Sequence, residues 1–251
     1  MRKAVLFKTV AHTKQKYAEK QNRIWENLTN IVSAPVTWLE QYRFVGEIMP
    51  EEKIFIKNGS LKIEGLLNKS SKENGVVICH PHSLMGGSMH NNVVETLQEV
   101  YAAENYSTLR FNFRGVGGSA GFYDEGRGEK EDIFTVCEYL KKMGLTKLIL
   151  AGYSFGAWVG SRVLEESNSP FVSSIFVSPP VDYFNFNWDD LKNKINFMIC
   201  GDNDQFCMID VIKRIAQKIN SPLEIIQGAD HFYMGKEKEL ARILRKYMVE
   251  A

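Results

Sequence analysis

The stretch Leu148-Ile149-Leu150-Ala151-Gly152-Tyr153-Ser154-Phe155-Gly156-Ala157 reads as a buried strand that runs into a Gly-x-Ser-x-Gly turn and out into a helix. Such an elbow lifts a serine hydroxyl to the tip of a strand on a strained backbone. Side chains two residues before and after that serine would collide, so Gly152 and Gly156 stand where only the smallest residues fit. A helix opening at Phe155 aims its first amides at the serine, where they can stabilise negative charge. Glycine and serine also fill ordinary turns. The apolar strand before the turn and Ala157-Trp158-Val159-Gly160 after it set this one apart.

A serine hydroxyl is a poor nucleophile until a base removes its proton, so the chain must supply a histidine and usually a carboxylate. The elbow resembles that of the α/β-hydrolases, and in that family those partners follow in the order Asp or Glu, then His. Of five histidines only His231 lies after Ser154. It sits in Gln227-Gly228-Ala229-Asp230-His231-Phe232, behind the apolar run Leu223-Glu224-Ile225-Ile226. The acid is expected in Cys200-Gly201-Asp202-Asn203-Asp204, again a strand ending in a carboxylate-bearing loop. Asp204 is the expected orienter of His231, because Asp202 and Asn203 would occupy the bend itself. Asp202 is the alternative, and Asp230 reads as a turn former.

The motifs fall in a fixed order. His80-Pro81-His82-Ser83-Leu84-Met85-Gly86-Gly87 follows the strand Gly75-Val76-Val77-Ile78-Cys79, and Arg114-Gly115-Val116-Gly117-Gly118-Ser119 follows Leu109-Arg110-Phe111. The Ser154 elbow, the Gly201–Asp204 loop and the His231 loop come next. From Glu51 onward this resembles the α/β-hydrolase superfamily, and within it the compact, lidless bacterial serine hydrolases related to dienelactone hydrolases and esterases. The resemblance implies an α/β-hydrolase fold, a mostly parallel sheet of about eight strands with helices on both faces. It also implies an oxyanion hole made by two backbone amides. One is that of Phe155. Pro81 has no amide hydrogen and cannot serve; by the resemblance His82, which aligns with the residue after the family's usual His-Gly, is the second donor, with Ser83 as its alternative. The chain departs from its relatives at Ser83, where proline is common, and at His90, where an acid is expected; both departures bear on substrate preference. Ser83, Arg114, Tyr153 and Phe184 are the expected substrate contacts. For Arg114, tying loops together is favoured over binding a substrate carboxylate.

Other readings are weaker. His80, His82 and His90 lack the further Asp-His pair of a dinuclear site, since Leu84 and Met85 stand there, so no metal is expected. The glycines of 115–121 have the wrong spacing for a dinucleotide loop, and no cofactor is expected. A net charge of +1 provides no field for nucleic acid, so no nucleic-acid partner is expected. Cys79, Cys137, Cys200 and Cys207 are scattered and read as reduced thiols of a cytoplasmic protein. The opening Met1–Lys8 is too short in its apolar part for a secretory signal.

The 251 residues divide into an N-terminal helical extension, 1–46, and a catalytic domain, 47–251. Strands are expected near 52–57, 60–67, 75–80, 107–112, 147–152, 173–178, 195–200 and 222–226. Helices are expected near 89–103, 129–143, 155–166, 208–219 and 235–249, with a polar surface loop over Gly121–Lys130. In the extension, Tyr17, Ile24, Trp25, Leu28, Ile31 and Val32 recur at helical spacing. Packing on the domain is the favoured role of this stripe. A flap over the site, a homodimer contact and membrane contact by this helix stay open, the last disfavoured.

These readings converge on a serine hydrolase acting on a small or medium carboxylic ester or thioester, a small-molecule acyl substrate. Other elbow-serine chemistry (a peptidase, a carbon–carbon hydrolase or an acyltransferase) and a non-catalytic binding module on the same scaffold are the alternatives.

Overall fold

Gly59 turns the chain at φ +57, a left-handed conformation that suits glycine. It joins β1 (Glu52–Asn58) to β2 (Leu61–Asn68) as an antiparallel hairpin in which Asn58 faces Leu61 and Glu52 faces Leu67. The computed structural model describes residues 50–59 and 61–249. The helical extension expected over 1–46 lies outside them.

Six further strands follow: β3 (Asn74–Cys79), β4 (Ser107–Phe111), β5 (Lys147–Tyr153), β6 (Phe171–Val177), β7 (Phe197–Gly201) and β8 (Leu223–Ile226). The sheet runs in the order β1-β2-β4-β3-β5-β6-β7-β8. β2 meets β4 antiparallel, and every pair from β4 to β8 is parallel. The helices are α1 (Asn92–Ala103), α2 (Arg127–Lys142), α3 (Phe155–Leu164), α4 (Ile209–Ile219) and α5 (Glu237–Val249).

Parallel strands need crossovers, and crossovers put helices on both faces of the sheet. Hence the unbroken apolar runs of the central strands. In β3, Val77 and Cys79 enter one core with Ile133 of α2, Val159 of α3 and Ile212 of α4, while Val76 and Ile78 enter a second core with Leu97 of α1 and Leu240 of α5. β7 divides the same way, Met198 and Cys200 against Phe197 and Ile199. Each such fully buried aliphatic side chain contributes about 1.5–3 kcal/mol relative to exposure.

All eight expected strands and all five expected helices form, with shifted ends. α1 starts at Asn92 rather than near 89, because the Asn91 side chain accepts the Val93 amide at 2.9 Å and caps the helix there. α2 starts at Arg127, inside the expected surface loop. Glu129 is fully buried and reaches back to the amides of Gly126 (2.8 Å) and Asp124 (2.9 Å), which fixes the first turn earlier. Ser83–Met85 forms a short 3-10 turn that the sequence reading did not foresee. Among the described residues no helix is long and apolar enough to cross a membrane.

Candidate active site

Parallel strands deliver their following loops to one edge of the sheet, and the candidate residues lie on those loops. Ser154 follows β5 directly, at φ 54, ψ −119, a sparsely populated conformation for a residue with a side chain. Its amide donates to the Val177 carbonyl (2.9 Å), and its carbonyl accepts from Ala157 (2.9 Å). A Cβ on Gly152 would stand 2.6 Å from the Ala157 Cα, and one on Gly156 2.3 Å from the Cys79 carbonyl oxygen. The two glycines therefore let the helix start pass directly over the ends of β3 and β5, and the surrounding contacts hold the strained serine.

His231 stands on the loop after β8. Asp230 shapes that loop by accepting the amides of Phe232 (2.9 Å) and Tyr233 (3.2 Å) through Oδ1. The imidazole bridges the other two residues. Its Nε2 lies 2.8 Å from Ser154 Oγ, and its Nδ1 lies 2.9 Å from both carboxylate oxygens of Asp204. A carboxylate only accepts, so Nδ1 carries the proton and Nε2 is left to accept from the serine hydroxyl. Asp204 Oδ1 also accepts the amides of Phe206 (2.8 Å) and Cys207 (3.0 Å), which locks its rotamer. Ser154, Asp204 and His231 expose only 7, 6 and 6% of their surface, so the relay is largely shielded from water yet still reachable. Asp202 faces elsewhere, its Oδ1 accepting the Gly228 amide at 2.7 Å and bracing the β7 loop against the β8 loop.

The loop after β3 packs beside the elbow. Met85 and Gly87 both donate to the His82 carbonyl at 3.0 Å, and a Cβ on Gly87 would sit 2.1 Å from the Pro81 oxygen. The His82 ring packs 4.7 Å from the Phe155 ring, which brings the two expected oxyanion residues side by side. Its Nδ1 accepts the Leu84 amide (3.2 Å), and burial lowers its pKa. The Ser83 hydroxyl is buried with no hydrogen-bond partner among the described residues. Phe184 packs 4.5 Å from Trp158, 5.8 Å from Phe155 and 6.1 Å from His82, forming an apolar wall beside that loop.

Of the expected substrate contacts, Tyr153 is placed differently and Arg114 takes the loop-tying role favoured for it. Tyr153 is 1% exposed and its hydroxyl donates to the His231 carbonyl at 2.6 Å, so it lies beneath the site and cannot line it. Arg114 gives its backbone amide (3.0 Å), Nε (3.1 and 3.2 Å) and Nη2 (2.7 Å) to Asp132, whose side chain is fully buried on α2. Its guanidinium lies so close over Gly128 that a Cβ there would meet Nη1 at 1.9 Å. The residue ties its loop to α2.

The three upstream histidines are held by ordinary contacts. Fully buried His80 donates from Nδ1 to the Pro81 carbonyl (2.6 Å) and accepts the Phe113 amide at Nε2 (3.0 Å). Burial lowers its pKa to about 4, so it is neutral at pH 7. His90 is exposed, with Nδ1 3.9 Å from Glu95 Oε1. Among the described residues no group of three or more His, Cys, Asp or Glu side chains is placed to hold a metal ion.

Sequence reasoning missed Glu64. This buried carboxylate accepts from Asn112 Nδ2 (2.8 Å) and the Gly118 amide (2.5 Å) and pairs with Lys53 (2.6 Å), fixing the glycine loop after β4. Burial alone would raise its pKa, but Lys53, the Gly118 amide and Asn112 outweigh that and lower it to about 2. The readable signal was an acid between Ile63 and Gly65 in an otherwise core-facing strand.

A serine on a strand-to-helix elbow, bridged by histidine to an aspartate on an eight-stranded mostly parallel sheet, defines the α/β-hydrolase class. No protein-family model matches the chain. It is 31% identical over 217 residues to an uncharacterized protein of Rickettsia prowazekii (strain Madrid E), covering 80% of this chain and 89% of that one. Its structure is similar to that of an α/β serine hydrolase homologue from Coxiella burnetii, with TM-score 0.69 and 32% identity over 78% of this chain and 96% of that one. It shares its fold with a lidless α/β serine hydrolase from Xanthomonas campestris, with TM-score 0.70 and 24% identity over 80% and 94% of the two chains. The chain belongs to the α/β serine hydrolase family.

Proposed function

We propose that this protein hydrolyses a small or medium carboxylic ester or thioester through an acyl-enzyme on Ser154. The observation that carries the reading is the His231 bridge, 2.8 Å to Ser154 Oγ and 2.9 Å to Asp204. In this reading His231 takes the serine proton as Oγ attacks the acyl carbon. The tetrahedral oxyanion rests on the amides of Phe155 and His82, aided by the N-terminus of α3. His231 then returns the proton to the leaving oxygen or sulfur, and the acyl group stays on Ser154. Water, deprotonated by the same imidazole, attacks the acyl-enzyme, releasing the acid and restoring the serine hydroxyl. Asp204 holds the tautomer and stabilises the imidazolium.

An apolar acyl group is favoured by what surrounds the site. Leu84, Met85, Phe122, Tyr183, Met208, Phe232 and Met234 are exposed large apolar side chains. They sit on loops that leave the carboxyl ends of β3, β4, β6, β7 and β8, the same edge as Ser154.

The test is a panel of ester, thioester and amide substrates of graded acyl length, run with peptide mapping after a fluorophosphonate probe. Label on Ser154, with esters or thioesters turned over well ahead of amides, is the expected result. A label elsewhere, or turnover of amides alone, would refute it.

A further inference from the structure

Tyr153 is covalently joined to Ser154 and ends β5, yet its side chain reaches the loop that carries the base. The phenol hydroxyl donates to the main-chain carbonyl of His231 at 2.6 Å, with Tyr153 1% and His231 6% exposed. The two rings lie 5.6 Å apart, so the tyrosine supports the histidine through both its backbone and its imidazole.

The loop needs such support. β8 is only four residues long and ends at Ile226, five positions before His231. Tyr233 holds φ +55, an unfavourable conformation for a bulky side chain, so the loop does not keep this path by local preference. It is pinned a second time where the buried Tyr233 hydroxyl meets Ser178 Oγ at 2.6 Å, at the end of β6. That second bond fixes the loop to the sheet, whereas the Tyr153 bond fixes His231 itself to the residue beside the nucleophile.

We propose that Tyr153 is a positioning residue that sets the Ser154–His231 geometry by holding the His231 peptide. This rests on the reading of Ser154 as nucleophile. Without the hydroxyl, a buried carbonyl loses its donor and the peptide rotates toward another partner, carrying the imidazole off the line to Oγ. Displacements well under 1 Å in reacting groups already cost rate, and 1 Å can cost about 10²-fold. Binding of substrate or probe is not involved, because Tyr153 lies beneath the site.

The experiment measures fluorophosphonate inactivation, which needs no knowledge of the substrate, for wild type, Tyr153→Phe and Tyr233→Phe at a temperature where circular dichroism shows all three folded. The expected result for Tyr153→Phe is an inactivation rate constant at saturation about tenfold lower, with the probe concentration for half-saturation within about twofold. Replacing Tyr153 by p-aminophenylalanine, which keeps a donor at the same place, should restore most of the rate. A purely structural role predicts equal loss of melting temperature in the two Phe variants and unchanged inactivation per folded molecule. That result would overturn the proposal, as would a folded p-aminophenylalanine variant that is as slow as Tyr153→Phe. If Tyr153→Phe does not fold, the p-aminophenylalanine variant decides by its rate alone. A wild-type protein that the probe never labels would instead overturn the nucleophile reading, and the proposal with it.

Discussion

Asp204 meets His231 with both carboxylate oxygens at 2.9 Å from Nδ1, while Asp202, two residues earlier on the same loop, points away and accepts the Gly228 amide. The bend at 202–203 separates them. Its first residue is spent on bracing two loops, and the residue that emerges from it reaches across.

The two aspartates should therefore respond differently to the same change. In Asp204→Asn the side-chain amide can keep accepting from Phe206 and Cys207, but a donor then faces the Nδ1 proton, and the imidazole turns to the other tautomer. An equivalent change in a serine protease costs about 10⁴-fold in turnover. We expect Asp204→Asn to lower kcat on an activated ester by at least about 10²-fold, and Asp202→Asn by less than about fivefold. Steady-state kinetics on both purified, folded variants decides it; a crippled Asp202→Asn would place the acid there.

Ser154 and Gly156 separate chemistry from architecture. Ser154→Ala removes the proposed nucleophile but keeps the backbone, so turnover should vanish and the melting temperature should stay close to wild type. Gly156→Ala does the reverse. Its Cβ would come within 2.3 Å of the Cys79 carbonyl oxygen, and both belong to buried elements that cannot part cheaply. Overpacking of this kind costs about 1–3 kcal/mol or more, so the midpoint of urea unfolding should fall clearly. Full stability in Gly156→Ala would contradict the close approach of α3 to β3.

Much of this site was legible because its signals are local. The elbow needs only ten consecutive residues, and the order Ser154, Asp204, His231 left one histidine to choose. Gly201 and the Asp-Asn bend located the acid to within two positions. Tyr153 was misplaced, and the partner of Arg114 was not named, because in both cases the partner is not local. The tyrosine meets a carbonyl 78 residues away, and the arginine meets a carboxylate on the next helix, 18 residues away. Sequence shows that such side chains can bond, but not which strand edge or helix face will be there. The early start of α2 was a different failure. Asp124, Gly126 and Glu129 carry a readable capping signal that the polarity of the segment concealed.

Acid should destabilise the fold in two separable steps. His80 is neutral in the fold, with its pKa lowered from 6.5 to about 4 by burial. Between those values the unfolded chain binds the proton and the folded one does not. Its contribution is thus complete above pH 6.5 and is lost as pH falls toward 4, a change of about 3 kcal/mol at most. Glu64, lowered from 4.5 to about 2, keeps its contribution above pH 4.5 and loses it only below. Urea midpoints at pH 7, 6, 5 and 4.5 should fall in wild type and flatten in His80→Gln, which can still donate and accept. An equal slope in both proteins would assign the loss to other groups.

Arg114 offers the sharpest contrast between a structural and a ligand-binding cation. Its donors close on Asp132, whose side chain has no exposed surface. Removing the arginine leaves that carboxylate buried without its partner, which typically costs about 3–5 kcal/mol. Arg114→Met keeps the length of the stem but not the charge. It should lower the melting temperature markedly, while KM for an ester bearing a free carboxylate and KM for a neutral ester change in parallel, by less than about twofold. The double variant Arg114→Met with Asp132→Asn should recover much of the stability, because the uncompensated charge is gone. A substrate-binding arginine would behave otherwise, raising KM for the anionic ester alone with little loss of stability and gaining nothing from Asp132→Asn. Thermal melts of the single and double variants, with KM for both esters, therefore separate the two roles.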